Sequence, residues 1–83
     1  MFNVKNTENE RIYYLNENDV FFHIKYFEEN VENFINNDHR NIIIDMNDLE
    51  SIDSTFLSVV VKFRTSLSAR GRSLRIINYN EHI

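Results

Sequence analysis

The sequence predicts an α/β fold, a mixed β-sheet built in the order β-β-α-β-α-β with helices packed on it. Three features predict it. Two stretches with apolar residues at helical spacing alternate with short runs of isoleucine, leucine and aromatic residues. One of those runs, Ile42-Ile43-Ile44, does not alternate with polar residues, the pattern of a parallel strand covered on both faces. The chain's only glycine, Gly71, stands where the second helical stretch gives way to the last strand-like run.

Taken in order, Phe2 to Lys5 and Arg11 to Leu15 are short, aromatic or β-branched, and read as two strands joined through Asn6-Thr7-Glu8-Asn9 as a hairpin. Asp19 is positioned to cap a helix of about four turns, carrying Ile24, Phe27, Val31, Phe34 and Ile35 on one side and Glu28, Glu29 and Glu32 on the other. That helix is expected to end near Asn36-Asn37. Asn41 to Met46 is the next strand. A second helix starts at Asp53 or Ser54 and runs to Arg70. Phe56, Val60, Phe63 and Leu67 form its apolar stripe, flanked by Leu57 and Val61. Gly71 supplies the left-handed residue that closes the helix, and Leu74 to Tyr79 is the last strand. With no proline, the remaining turns fall to Asn and Asp, which tolerate left-handed backbone and close Asx-turns.

Composition narrows the function. At 83 residues the chain is one domain, spanning 1–83, with a thin core. The absence of cysteine removes disulfides, thiolate metal sites and cysteine nucleophiles. A net charge of −4 opposes direct nucleic-acid binding through phosphates. No apolar run is long enough for membrane insertion and no secretory leader is visible, so a cytoplasmic protein is expected. Lys62, Arg64, Arg70, Arg72 and Arg75 form a local basic stretch, read either as a partner-facing patch or as the wet side of a helix. His23, His39 and His82 lack metal-ligand spacing, and no glycine-rich phosphate or dinucleotide loop exists. No metal, no cofactor and no enzymatic activity are expected. Asp45, Asp48 and Asp53 fall at the same end of the sheet and read as solvated turn acids.

The chemistry centres on Asp53-Ser54-Thr55. A hydroxyl at the start of a helix sits beside unpaired amides and the positive end of the helix dipole, where an anion is stabilised. A phosphoserine there adds about −1.5 to −2 charges without disturbing the fold. The competing role is a plain N-cap, which contributes about 1 kcal/mol and is common at this position.

The run Ile42-Ile43-Ile44-Asp45-Met46, followed by Ile52-Asp53-Ser54-Thr55, a helix, Ala69-Arg70-Gly71 and Leu74-Arg75-Ile76-Ile77-Asn78, resembles the STAS domain. The upstream stretch from Leu15-Asn16-Glu17 to Phe34-Ile35 resembles that family's second strand and first helix, so the resemblance covers nearly the whole chain. It implies a non-enzymatic regulatory protein of the anti-sigma factor antagonist type. Such a protein binds a serine kinase that is also an anti-sigma factor, is released when the serine is phosphorylated, and is reset by a phosphatase. Carried over residue by residue, Ser54 is the phosphoacceptor, Thr55 a weaker one, and Asp53, Ser54, Thr55 and Phe56 the partner-binding residues.

Two departures stand out. Phe56 occupies the position where the family usually has glycine; the bulky ring either alters a kinase's approach or offers a partner an apolar contact. The sequence also stops at Ile83, before the further helices the family usually carries, so a homodimer or an obligate partner covering that side is expected. These departures favour an alternative, a constitutive STAS scaffold subunit of a larger complex such as an ABC-type lipid transporter.

Overall fold

The computed structural model describes residues 2–79. A hairpin of β1 (Asn3–Asn6) and β2 (Glu10–Asn16) leads into a short helix α1 (Glu17–Phe21) and a longer one, α2 (Ile24–Asn37). Strand β3 (Asn41–Asp48), helix α3 (Ser54–Ser68) and strand β4 (Leu74–Ile77) follow. The four strands lie in the order β1-β2-β3-β4, with β1 antiparallel to β2 and β2, β3 and β4 mutually parallel. This is the mixed α/β sheet that the sequence predicts.

Register decides which side chains meet the helices. Tyr13 lies beside Ile44 and Ile44 beside Ile76, so these residues share one face. Leu15, Ile42 and Met46 join them by the twofold alternation of a strand. Against this face pack Val20 of α1, then Phe27, Val31, Phe34 and Ile35 of α2, and Phe56, Val59, Val60, Phe63 and Leu67 of α3. Phe27 is the hub, with ring centroids 5.4 Å from Tyr13, 6.0 Å from Phe63 and 6.2 Å from Phe56. The Tyr13 hydroxyl donates to Asn30 Oδ1 at 2.7 Å, which satisfies the one polar atom of that ring. Burial pushes the Tyr13 phenol above its ordinary value.

The unbroken isoleucine run leads one to expect cover on both faces of β3, with helices on one side of the sheet or both; the described residues show the one-sided case. All three helices lie on one face. Ile43, on the other, is nonetheless buried because it is central, flanked in register by Ile12 and Arg75.

The single helix expected after Asp19 is two helices. Asn16, not Asp19, is the N-cap. Its side chain accepts from the Asp19 amide at 3.1 Å, while Asp19 Oδ2 accepts from the Asn16 amide at 2.9 Å, a reciprocal capping box. The helix breaks at Phe22-His23, where both amides turn back to the Asn18 carbonyl, and α2 restarts without a side-chain cap.

Gly71 behaves as expected. It sits at φ +70°, and the Arg72 amide reaches the Leu67 carbonyl while the Gly71 amide reaches that of Ser68, the bond pair of a Schellman motif. The next residue ties three elements together. Arg72 donates from Nε and Nη2 to the Arg40 carbonyl and from Nη1 to the Ile35 carbonyl, with its guanidinium 5.7 Å from the Phe34 ring. Hydrogen bonds from a charged donor are the stronger kind. Arg72→Ala is therefore expected to lower stability by about 2 kcal/mol, read from the urea midpoint at unchanged slope.

Most of the basic stretch is paired within the domain, while Arg64 and Arg75 line one groove beside Leu57 and Val61. Lys62 is held between Glu28 and Glu32 of α2, at 3.0 and 2.6 Å, and these carboxylates keep its ammonium above the ordinary value. Arg70 bonds Ser66 and Asn36, and Arg75 pairs with Glu10. Four of the five cations are thus engaged within the domain.

Candidate functional site

The site lies at the end of the sheet where β3 finishes and α3 begins. Strand β3 ends in polar residues, and the Asp45 carboxylate accepts from the Asn47 amide at 2.9 Å and from Asn78 Nδ2 at 3.1 Å. Asn78 reaches it from a left-handed backbone, φ 57°, so the last strand is tied to the third where the loop departs. The loop then turns inward. Leu49 is buried and its amide donates to the Met46 carbonyl at 3.0 Å; Ile52 packs against the core from the other end.

Asp53 caps α3. Its backbone is extended (φ −111°, ψ 175°) and its Oδ1 accepts from the Phe56 amide at 2.8 Å. Asp53→Ala is expected to cost about 1 kcal/mol, seen as a lower melting temperature with the fold intact. Ser54 follows as the first residue of the helix, exposed, with Thr55 exposed beside it. Their amides are among the first of a helix and have no partner within it. Asp53 therefore serves as the cap and leaves the Ser54 hydroxyl free of that task.

Phe56 is where the structure and the expectation part. Its ring is 1% exposed and stacks 27° off parallel to Phe27 in the core, so it offers nothing to a partner. A large ring here fills the space beneath the first turn of α3. The apolar surface next to Ser54 comes instead from Leu57 and Val61, 48% and 61% exposed. With Ser54 and Ser58 they line one shallow groove; with Val60, Leu74, Ile76 and the side chains of Arg64 and Arg75 they line a second that continues to the edge strand β4.

Sequence reasoning missed three contributors. Leu57 and Val61 appear in it only as flanks of the buried stripe. Glu17, at the start of α1, accepts from the Glu50 amide at 2.6 Å and the Ser51 amide at 3.2 Å, so it holds the loop that leads to Asp53. No local signal marks a contact made across 33 residues.

Among the described residues no three His, Asp or Glu side chains gather as a metal site, and Asp45, Asp48 and Asp53 do not converge into one. His23 lies at the α1–α2 break and His39 in an exposed loop, while His82 falls outside the described residues. Among the described residues no helix is long and apolar enough to cross a membrane.

A family model described as the STAS domain matches residues 1–83. No curated protein matches the sequence as a relative. Among solved structures, the NMR structure of a Thermotoga maritima protein superposes with a TM-score of 0.84 at 28% identity, covering 99% of this chain and 66% of that one. A crystal structure from the same organism, assigned as an anti-sigma factor antagonist, gives 0.80 at 28% identity, with 99% and 71% covered. The STAS domain of an anti-sigma factor antagonist from Rhodobacter sphaeroides shares the fold, with a TM-score of 0.61 at 16% identity, 100% of this chain and 94% of that one being covered. The chain spans about two thirds of the length of the Thermotoga protein.

Proposed function

The chain belongs to the STAS domain family, and on that premise we propose that it is a non-enzymatic, cytoplasmic partner-switching module of the anti-sigma factor antagonist type, controlled by phosphorylation of Ser54. Its partner is a serine kinase acting as an anti-sigma factor, and a phosphatase restores the unmodified form. The observation that carries the reading is the placement of Ser54. Its side chain is exposed at the first position of α3, already relieved of capping by Asp53, and it borders the apolar strip of Leu57 and Val61.

That arrangement makes a switch without internal rearrangement. A partner that binds here covers the strip and the helix start together. A phosphate on Ser54 is tolerated by the fold, because free amides and the helix dipole favour an anion there. The same phosphate brings about −1.5 to −2 charges to the margin of an apolar contact, where desolvation and the neighbouring Asp53 carboxylate oppose rebinding. Thr55, also exposed, is the secondary acceptor. The scaffold alternative loses the support it drew from Phe56, whose ring faces the core.

Incubating the protein with ATP in its native lysate, followed by phosphosite mapping, tests the assignment. One phosphate on Ser54 is expected. A phosphate confined to Ser58 or to another surface hydroxyl contradicts it, as does no modification at all.

A further inference from the structure

We propose that Glu17 is the positioning residue for the loop that presents Ser54, an inference that rests on Ser54 being the phosphoacceptor. The β3–α3 loop has few holds of its own. Its ends are fixed by Leu49 and Ile52 in the core, but Glu50 and Ser51 between them point their side chains to solvent. Their amides both donate to a single oxygen, Glu17 Oε1, at 2.6 and 3.2 Å. A carboxylate accepting two backbone N–H groups is a charge-assisted contact, stronger than the bonds to water that replace it.

The base that carries Glu17 is tied by hydrogen bonds. It is the first residue of α1, directly after Asn16, whose capping box with Asp19 fixes the direction in which the chain leaves β2. Asp19 is itself 1% exposed. The sheet brings the two pieces together, because β2 and β3 are parallel and register Asn16 beside Asp48. The β2–α1 corner thus grips the loop two residues before the N-cap of α3, and that cap sets where the Ser54 hydroxyl lies. Glu17 needs no contact with the partner to affect how Ser54 is met.

The test compares Glu17→Ala and Glu17→Gln in the full chain. Glutamine keeps an oxygen that can accept both bonds and loses only the charge. In the alanine variant the Glu50 and Ser51 amides are expected to exchange about tenfold faster. The Ser54 and Thr55 amide resonances should shift, while those of Ile42 and Ile44 in the core stay in place. Phosphate incorporation at Ser54 in native lysate with ATP should fall by a similar factor, and the glutamine variant should recover most of both losses. Should the alanine variant fail to fold, glutamine against wild type carries the same comparison, with a smaller loosening at Glu50 and Ser51 and none in the core.

Unchanged exchange at Glu50 and Ser51 overturns the inference, as does loosening of those amides with Ser54 labelled at the wild-type rate. If the wild-type chain takes no label at Ser54, the phosphoacceptor reading fails separately. Glu17 is then decided by the Ser54 resonance, which moves if Glu17 positions the loop and stays if it does not.

Discussion

Ser54→Asp is expected to weaken partner binding by roughly a hundredfold while Ser54→Ala binds like the wild type and accepts no phosphate at that position. The magnitude follows from what the carboxylate would face. Beside Ser54 lie Leu57 and Val61, apolar and 48% and 61% exposed, the kind of surface an interface dries out. An unpaired charge held in such a contact costs about 3 kcal/mol, which converts to roughly two orders of magnitude in Kd. The free domain does not share that cost. A carboxylate at the first position of α3 meets the positive end of the helix dipole, so the variant should melt at or slightly above the wild-type temperature. Isothermal titration against the captured partner, set beside thermal unfolding, reads both halves. Equal affinity of the aspartate and alanine variants would remove charge as the basis of the switch.

Phe27→Ala is expected to cost 3 to 5 kcal/mol, about as much as a domain of this size has to lose. Phe27 is fully buried and touches Phe2, Tyr13, Phe56 and Phe63, so its ring joins β2, α2 and α3 in one cluster. With a thin core there is little else to close over the cavity. The loss also reaches the site. Phe56 rests on Phe27, and Phe56 is the floor under the first turn of α3. Urea denaturation should place much of the variant in the unfolded state at room temperature, and whatever remains folded should show Ser54 and Thr55 resonances displaced from their native positions. A variant within 1 kcal/mol of wild type would show that the aromatic cluster is not the support described.

The architecture was legible because its signals are local. Unbroken isoleucine in β3, the apolar spacing of α2 and α3 and the lone glycine after α3 each state an element in a few adjacent residues. The start of α3 was legible only as Asp53 or Ser54; the structure gives the cap to Asp53. The α1–α2 break was not. Phe21, Phe22 and Ile24 continue an apolar run, and the interruption depends on the chain's exit from β2 under the Asn16–Asp19 box, which no periodicity records. Phe56 carries a sharper lesson. Its place in the stripe with Val60, Phe63 and Leu67 puts it on the buried side, and the structure agrees; of the two roles raised by the comparison with a family glycine, the apolar contact to a partner has no exposed ring to make it. Periodicity within the helix was the better guide than a mismatch at one position. Glu17 was beyond reach, since its role exists only once β2 and β3 lie side by side.

The most direct test of the switch is recovery of the tagged protein from its native lysate with and without ATP, with intact-mass and phosphosite analysis of both fractions. A serine kinase should accompany the protein without ATP and be released with it, in step with a phosphate on Ser54. A partner held equally in both conditions, with Ser54 unmodified, would contradict the switch and return the domain to the role of a constitutive subunit.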